Sequence, residues 1–285
     1  MKLCLLLFIL LPALHAADDK LFEYRRDLSL DHKETGFSER DGVKVLDFTY
    51  VNLSGGQTAA YLVPSVKRGK DAAILFVHWY EPESKDSNRT QYLDQAVELA
   101  KAGATSLLIE TMWSDPLWFG KRNPADDFHS SAQQVKELRR ALDILLAEPG
   151  IDKKRVAYVG HDFGMMYGAV LAGVDHRPKV WAFQAGTTSF SDWFLLGSKL
   201  QGDDRKKVID RLAPLDPVKF IPGAGGPVLM QFGKTDRFVP EAKANQFFDA
   251  AVEPKKILWY DAGHALNAAA IADRQAWLKE QLKLK

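Results

Sequence analysis

The chain has 285 residues, 46% hydrophobic and 26% charged, enough apolar material for one large core or two small ones and without a compositional sign of disorder. Its 38 basic and 37 acidic residues are interspersed and leave a formal net charge of +1. That balance excludes a broad electrostatic footprint for nucleic acid or for an acidic membrane surface, and it points to a small-molecule substrate.

The first residues, MKLCLLLFILLPALHA, combine one Lys, an apolar run from Leu3 to Leu11 and small residues ahead of a cut after Ala16, which is the pattern of a signal peptide. The run is short of the roughly 20 apolar residues needed to span a bilayer. Residues 1–16 are therefore expected to be removed and the mature chain exported, periplasmic or extracellular, with no stable membrane insertion. Cys4 is the only cysteine, so the mature chain should hold no disulfide, thiolate nucleophile or Cys-ligated metal.

Residues 17–41 are charged and aperiodic and read as an N-terminal arm on the surface. From residue 42 to 285 strand-like apolar runs alternate with amphipathic stretches of helical length, the signature of an α/β fold whose mostly parallel central sheet is flanked by helices. Expected strands are Val43–Leu53, Thr58–Val63, Ala72–His78, Thr105–Glu110, Arg155–Gly160, Val180–Gln184, Val228–Gly233 and Lys256–Tyr260, the first two joined as a hairpin through Ser54-Gly55-Gly56. Expected helices are Thr90–Ala102, Ser130–Glu148, Phe163–Gly173, Glu241–Val252 and Ala268–Leu282. The second of these places Val135, Leu138, Leu142 and Leu145 on one face and turns Lys136, Glu137, Arg139 and Arg140 to water. The irregular stretch Gly186–Gly226 has room for two short helices.

The strand RVAYVG and the helix FGMMYGAVLAG are joined by a sharp turn within Gly160-His161-Asp162-Phe163-Gly164. Glycines two places either side of the turn residue let strand and helix approach, so Asp162 is expected at the tip of a strand, elbow and helix unit above the carboxyl end of the sheet. The next backbone N–H, that of Phe163, becomes an anion donor at the helix start. Read singly, Asp162 is an ordinary N-cap. Two other residues change the weighing. Asp236, in GKTDRFVP, and His264, in DAGHALN, each follow a strand, which completes the chain order nucleophile, acid, histidine. An ionised Asp162 needs no base to attack; His264 would instead deprotonate the water that hydrolyses a covalent intermediate, and Asp236 would orient and stabilise the imidazole.

From about residue 42 to 282 the strand order, the elbow, GKTDRFVP and DAGHALN resemble the dienelactone hydrolase and prolyl-oligopeptidase-like branch of the α/β-hydrolase superfamily. The elbow GHDFG is itself closer to the GHDWG of epoxide hydrolases and haloalkane dehalogenases. The resemblance implies an α/β-hydrolase fold and a cofactor-independent hydrolase. Members of the first branch usually carry Ser or Cys at the elbow, and those of the second insert a large helical cap, for which only Gly186–Gly226 is available here. The resemblance also places oxyanion or substrate contacts at the backbone of Tyr80 and Phe163 and beside His78 and Trp79, the latter standing where the family has glycine. Phe163 replaces the Trp that helps bind halide in dehalogenases.

Weaker pocket candidates are Glu110, at the end of its strand, and Trp113, Trp118 and Trp193, each weighed against plain packing. His161 is expected to point away from the nucleophile in a structural role. His129 and His176 show no partner spacing, and no cluster has metal-ligand spacing, so neither metal nor cofactor is expected. Three readings stand: a hydrolase of a small, fairly apolar substrate through a covalent aspartyl ester; an ester or lactone hydrolase in which Asp162 activates water; and a noncatalytic binder on a hydrolase fold. The oligomeric state is left open.

Overall fold

The computed structural model describes residues 19–67 and 69–285, and the signal-peptide expectation for residues 1–16 lies outside them. In chain order the elements are β1 (His32–Arg40), β2 (Val43–Val51), β3 (Gln57–Val63), β4 (Asp71–Val77), α1 (Leu93–Lys101), β5 (Ala104–Ile109), the single turn α2 (Trp118–Lys121) and α3 (Asp127–Ala147). They continue with β6 (Ile151–His161), α4 (Phe163–Val174), β7 (Val180–Gln184), α5 (Phe190–Phe194), α6 (Gly202–Leu212), β8 (Val228–Gly233), α7 (Glu241–Ala250), β9 (Lys255–Tyr260) and α8 (Ala268–Gln281). All eight expected strands and five expected helices are present, and α5 and α6 are the two short helices of the 186–226 stretch.

The nine strands form one sheet in the order β1-β2-β3-β5-β4-β6-β7-β8-β9. The β1, β2, β3 and β5 neighbours pair antiparallel; from β5 through β9 the pairing is parallel. Strands β5, β7 and β8 are buried at every residue, which is why they read as continuous apolar runs and not as alternating ones. One face packs Leu75 and Tyr158 against Leu138, Leu142, Met165 and Val170 of α3 and α4. The other packs Ile74 and Phe76 against Val97 and Leu278 of α1 and α8. The strand order reverses at β4, whose neighbours are β5 and β6, so the loops leaving the carboxyl ends of β4 and β6 meet at the switch point where ligands bind in such sheets.

Residues 32–40, within the stretch read as an N-terminal arm on the surface, form an edge strand, exposed along nearly its whole length and held by backbone pairing to β2. With neither face buried, nothing in its sequence needs to alternate. One local expectation changes: the charged face of α3 does not lie in water. Arg140 is fully buried and donates to the carbonyls of Val51, Leu28 and Ser29. Arg139 binds Asp175 and the Phe22 carbonyl, and Glu137 accepts the N–H of Leu53. The segment before β1 and the β2–β3 hairpin cover this side of the helix, so its charges hold backbone that would otherwise be unpaired.

Candidate active site

Asp162 ends β6 and opens α4 with φ 55 and ψ −117, a left-handed conformation that costs a non-glycine residue roughly 1–3 kcal/mol. The glycines flanking it make that geometry possible. A Cβ on Gly160 would stand 2.3 Å from the Gly164 carbonyl oxygen, and one on Gly164 would stand 2.2 Å from the Val77 carbonyl oxygen. The start of α4 is thereby pressed against the end of β4. Asp162 donates its own N–H to the Gln184 carbonyl at 2.8 Å, which ties the elbow to β7.

That close approach brings Tyr80, in the loop after β4, over the elbow. Its backbone N–H donates to Asp162 Oδ2 at 2.9 Å. Asp162 Oδ1 is buried without a hydrogen-bond partner among the described residues. The carboxylate is thus asymmetric, with one oxygen held and the other without a hydrogen bond. Burial pushes the Asp162 carboxyl up to about 7, while the attraction of His264 and the N–H groups of Tyr80 and Phe163 pull the other way.

His264, in the loop after β9, and Asp236, in the loop after β8, come together with Nδ1 and Oδ2 at 2.8 Å. Asp236 Oδ1 accepts the N–H groups of Phe238 at 2.8 Å and Val239 at 3.2 Å. Burial would raise the Asp236 carboxyl, but the His264 hydrogen bond and these two N–H groups outweigh it and hold the group below its ordinary value. For His264 burial opposes the charge, yet the Asp236 hydrogen bond and the field of Asp162 win and raise it. An imidazole with Nδ1–H fixed on a carboxylate presents Nε2 as a base.

His161 does more than point away. Its Nε2 donates to the His264 carbonyl at 2.9 Å, and its Nδ1 accepts from Gln91 Nε2 at 2.7 Å, so it stays neutral and anchors the histidine loop. Burial drives its pKa well below the ordinary value. No sequence signal marked Gln91, which lies in the loop before α1.

Trp79 stacks on both histidines, with ring centroids 5.0 Å from His161 and 6.4 Å from His264. Trp193 of α5 closes over the other side, 5.5 Å from His264, 5.6 Å from Phe238 and 5.9 Å from Phe163. Asp162 is 1% exposed beneath this cover. His78 is buried and bonded to Ser114 and Thr111, and burial lowers its pKa to about 4, so it is a neutral brace for the loop. Trp113, expected as a pocket candidate, is fully buried; it stacks on Tyr167 and donates to the His78 carbonyl, a packing role. Glu110 pairs with Arg89 at 3.4 Å and lines a separate cleft of about 740 Å³ with Trp118. No group of metal-ligating side chains and no helix long and apolar enough to cross a membrane occurs among the described residues.

The sheet order, the elbow and the two loops define the α/β-hydrolase fold. Among solved structures the chain is similar to acetyl xylan esterase 1 from Thermoanaerobacterium sp. JW/SL YS485, with a TM-score of 0.74 and 14% identity over 93% of this chain and 94% of that one. It is also similar to acetyl xylan esterase from Paenibacillus sp. R4, with a TM-score of 0.70 and 14% identity over 88% and 89%. In sequence it is 26% identical to the mouse (Mus musculus) acylamino-acid-releasing enzyme over 157 residues, 49% of this chain and 21% of that enzyme. The match therefore spans about a fifth of the length of that relative. No family model matches the chain.

Proposed function

We propose that the protein is an exported, cofactor-independent hydrolase in which Asp162 attacks an electrophilic carbon of a small substrate and forms a covalent aspartyl ester. The observation that carries this reading is the divided carboxylate, Oδ2 held by the Tyr80 N–H and Oδ1 buried and unpartnered. In the first step Oδ1 forms a C–O bond and the leaving group departs with the bonding pair. In the second, His264 Nε2 takes a proton from water and the hydroxide adds to the aspartyl carbonyl. The oxyanion then forms on Oδ2, already 2.9 Å from its donor, and collapses with cleavage of the bond between the aspartyl carbonyl carbon and the alcohol oxygen, which leaves with the proton returned by the His264 imidazolium. Asp236 stabilises the transient imidazolium. Saturated carbon, as in an epoxide or alkyl halide, suits an aspartate better than an ester carbonyl, which would give a high-energy anhydride. Export rests on the pattern of residues 1–16.

A second reading, dienelactone hydrolase-like ester or lactone hydrolysis with Asp162 activating water, is favoured by the fold shared with esterases and by an Asp162 carboxyl that titrates at about 7, where a general base works well. A single turnover in heavy-oxygen water, read by peptide mass spectrometry, separates the two. Label in the Asp162 carboxylate supports the covalent route. Label confined to product rejects it in favour of the water-activating one.

A further inference from the structure

The cleft beside the site has no part in the reaction just described, and its chemistry is specific. It lies between the β2–β3 hairpin, the carboxyl end of β5 and the start of α3, with a volume of about 740 Å³. Asp126, Ser130, Gln133 and Glu137 fall at helical spacing along its floor, and Asn52 and Gln57 face them from the hairpin. Most of the lining side chains are amides, hydroxyls or carboxylates, which is unsuited to an apolar guest. Each carboxylate already has a donor or a guanidinium of the protein beside it. Glu110 is paired with Arg89, Asp126 accepts from Asn123 at 2.8 Å, Asp127 stands 3.5 Å from Arg122, and Glu137 accepts from Leu53. An anion would meet four carboxyl groups and one guanidinium.

What remains is a neutral guest with many hydroxyls, each both donor and acceptor, and with C–H faces for an aromatic wall. That wall is Trp118 and Phe194. Their rings also pack on Phe163, at 5.4 and 5.8 Å, so one layer of side chains separates the cleft from the residue after Asp162. A second observation points to a ligand at this inner end: Asp127 is 4% exposed and lines the cleft, and while its Oδ1 faces Arg122 Nε at 3.5 Å, its Oδ2 has no hydrogen-bond partner among the described residues. Trp118 sits on α2, a single turn with no buried residue.

We infer that this cleft binds a neutral polyhydroxylated moiety of the oligosaccharide class. The inference deepens the hydrolase reading and rests on it for one point, that the sugar carries a short apolar electrophilic arm reaching past Trp118 to Asp162. Binding itself is tested without turnover. The full chain and its Asp162→Asn variant are titrated calorimetrically with cellotriose, xylotriose and maltotriose, and with spermidine as the cationic comparison. At least one trisaccharide should bind with a Kd of about 1 mM or tighter, equally well to both proteins. Asn123→Ala and Trp118→Ala, each checked for folding by circular dichroism, should weaken it about tenfold, or ~1.4 kcal/mol. Asn123 is exposed, so its variant keeps the test intact if Trp118→Ala misfolds. No heat with any trisaccharide, binding indifferent to the cleft substitutions, or salt-sensitive binding of spermidine alone would each overturn the inference. Failure of the heavy-oxygen experiment leaves this outcome untouched, because Asp162→Asn is expected to bind.

Discussion

The backbone N–H of Tyr80 points at Asp162 Oδ2 from 2.9 Å. In a hydrolase with serine at this elbow such a donor faces the substrate oxygen; here it grips the side chain at the elbow itself. Asp162→Ser should free it while leaving His264 and Asp236 in place. The variant should hydrolyse p-nitrophenyl acetate faster than the native protein, by up to the 10²–10³-fold (roughly) that an oxyanion donor contributes. Initial rates at equal protein concentration measure this, and a variant slower than the native protein would contradict the assigned donor.

In the proposed covalent route, removing His264 should stall the second step and spare the first. His264→Gln should therefore retain one substrate-derived group per chain, seen as a mass adduct on the peptide that contains Asp162. Its steady-state turnover should fall by about 10²–10⁴-fold, the usual contribution of a general base. Loss of turnover without an adduct would favour direct activation of water.

The pH dependence follows from the two buried groups. Attack needs Asp162 ionised and hydrolysis needs His264 neutral, and both are held above their ordinary values, Asp162 at about 7. Activity should climb as pH rises through about 7, so a profile flat between about pH 5 and 8 would be inconsistent. Stability runs the other way. A carboxyl whose folded pKa is raised binds more protons folded than unfolded, so its relative stabilisation is complete below the unfolded value and is lost as pH rises through about 7. Asp162→Asn should accordingly gain in unfolding free energy over the native protein as pH passes from about 4 to above 7, by a few kcal/mol at most, read by urea unfolding at each pH.

Gly164 has no room for a methyl group, since its Cβ would lie 2.2 Å from backbone of β4 that cannot move without opening the sheet. Gly164→Ala should destabilise the fold by about 1–3 kcal/mol or more. It should also widen the gap between Tyr80 and Asp162 and lower activity in the fraction that folds. Urea unfolding with parallel activity measurements separates the two effects.

Trp193 is the lid of the site through contacts with His264, Phe163 and Phe238. Its Nε1 is buried without a partner among the described residues, so truncation strands no hydrogen bond seen there. Trp193→Ala should raise kcat/KM for bulky substrates relative to small ones, at a stability cost of about 3–5 kcal/mol, softened by the position of α5 near the surface. An unchanged substrate ranking would place the entrance elsewhere.

The sequence by itself determined the strands that are buried on both faces, because a continuous apolar run of five or six residues between turn signals has few other uses. It also determined the elbow, since only glycine tolerates the contacts at positions 160 and 164. Chain order alone singled out Asp236 and His264, which the fold brings within 2.8 Å. Periodicity was blind to β1, whose two faces both meet solvent, and misread α3, where Arg140 is buried by segments far away in the chain. Only the tertiary structure decided what surrounds the Asp162 carboxylate. The Tyr80 N–H on Oδ2, the His161 bond to the His264 carbonyl and the Trp193 cover join residues 82, 103 and 71 positions apart or so, respectively. Contacts of that range depend on how strands order themselves in the sheet, and local sequence carries no periodic trace of them.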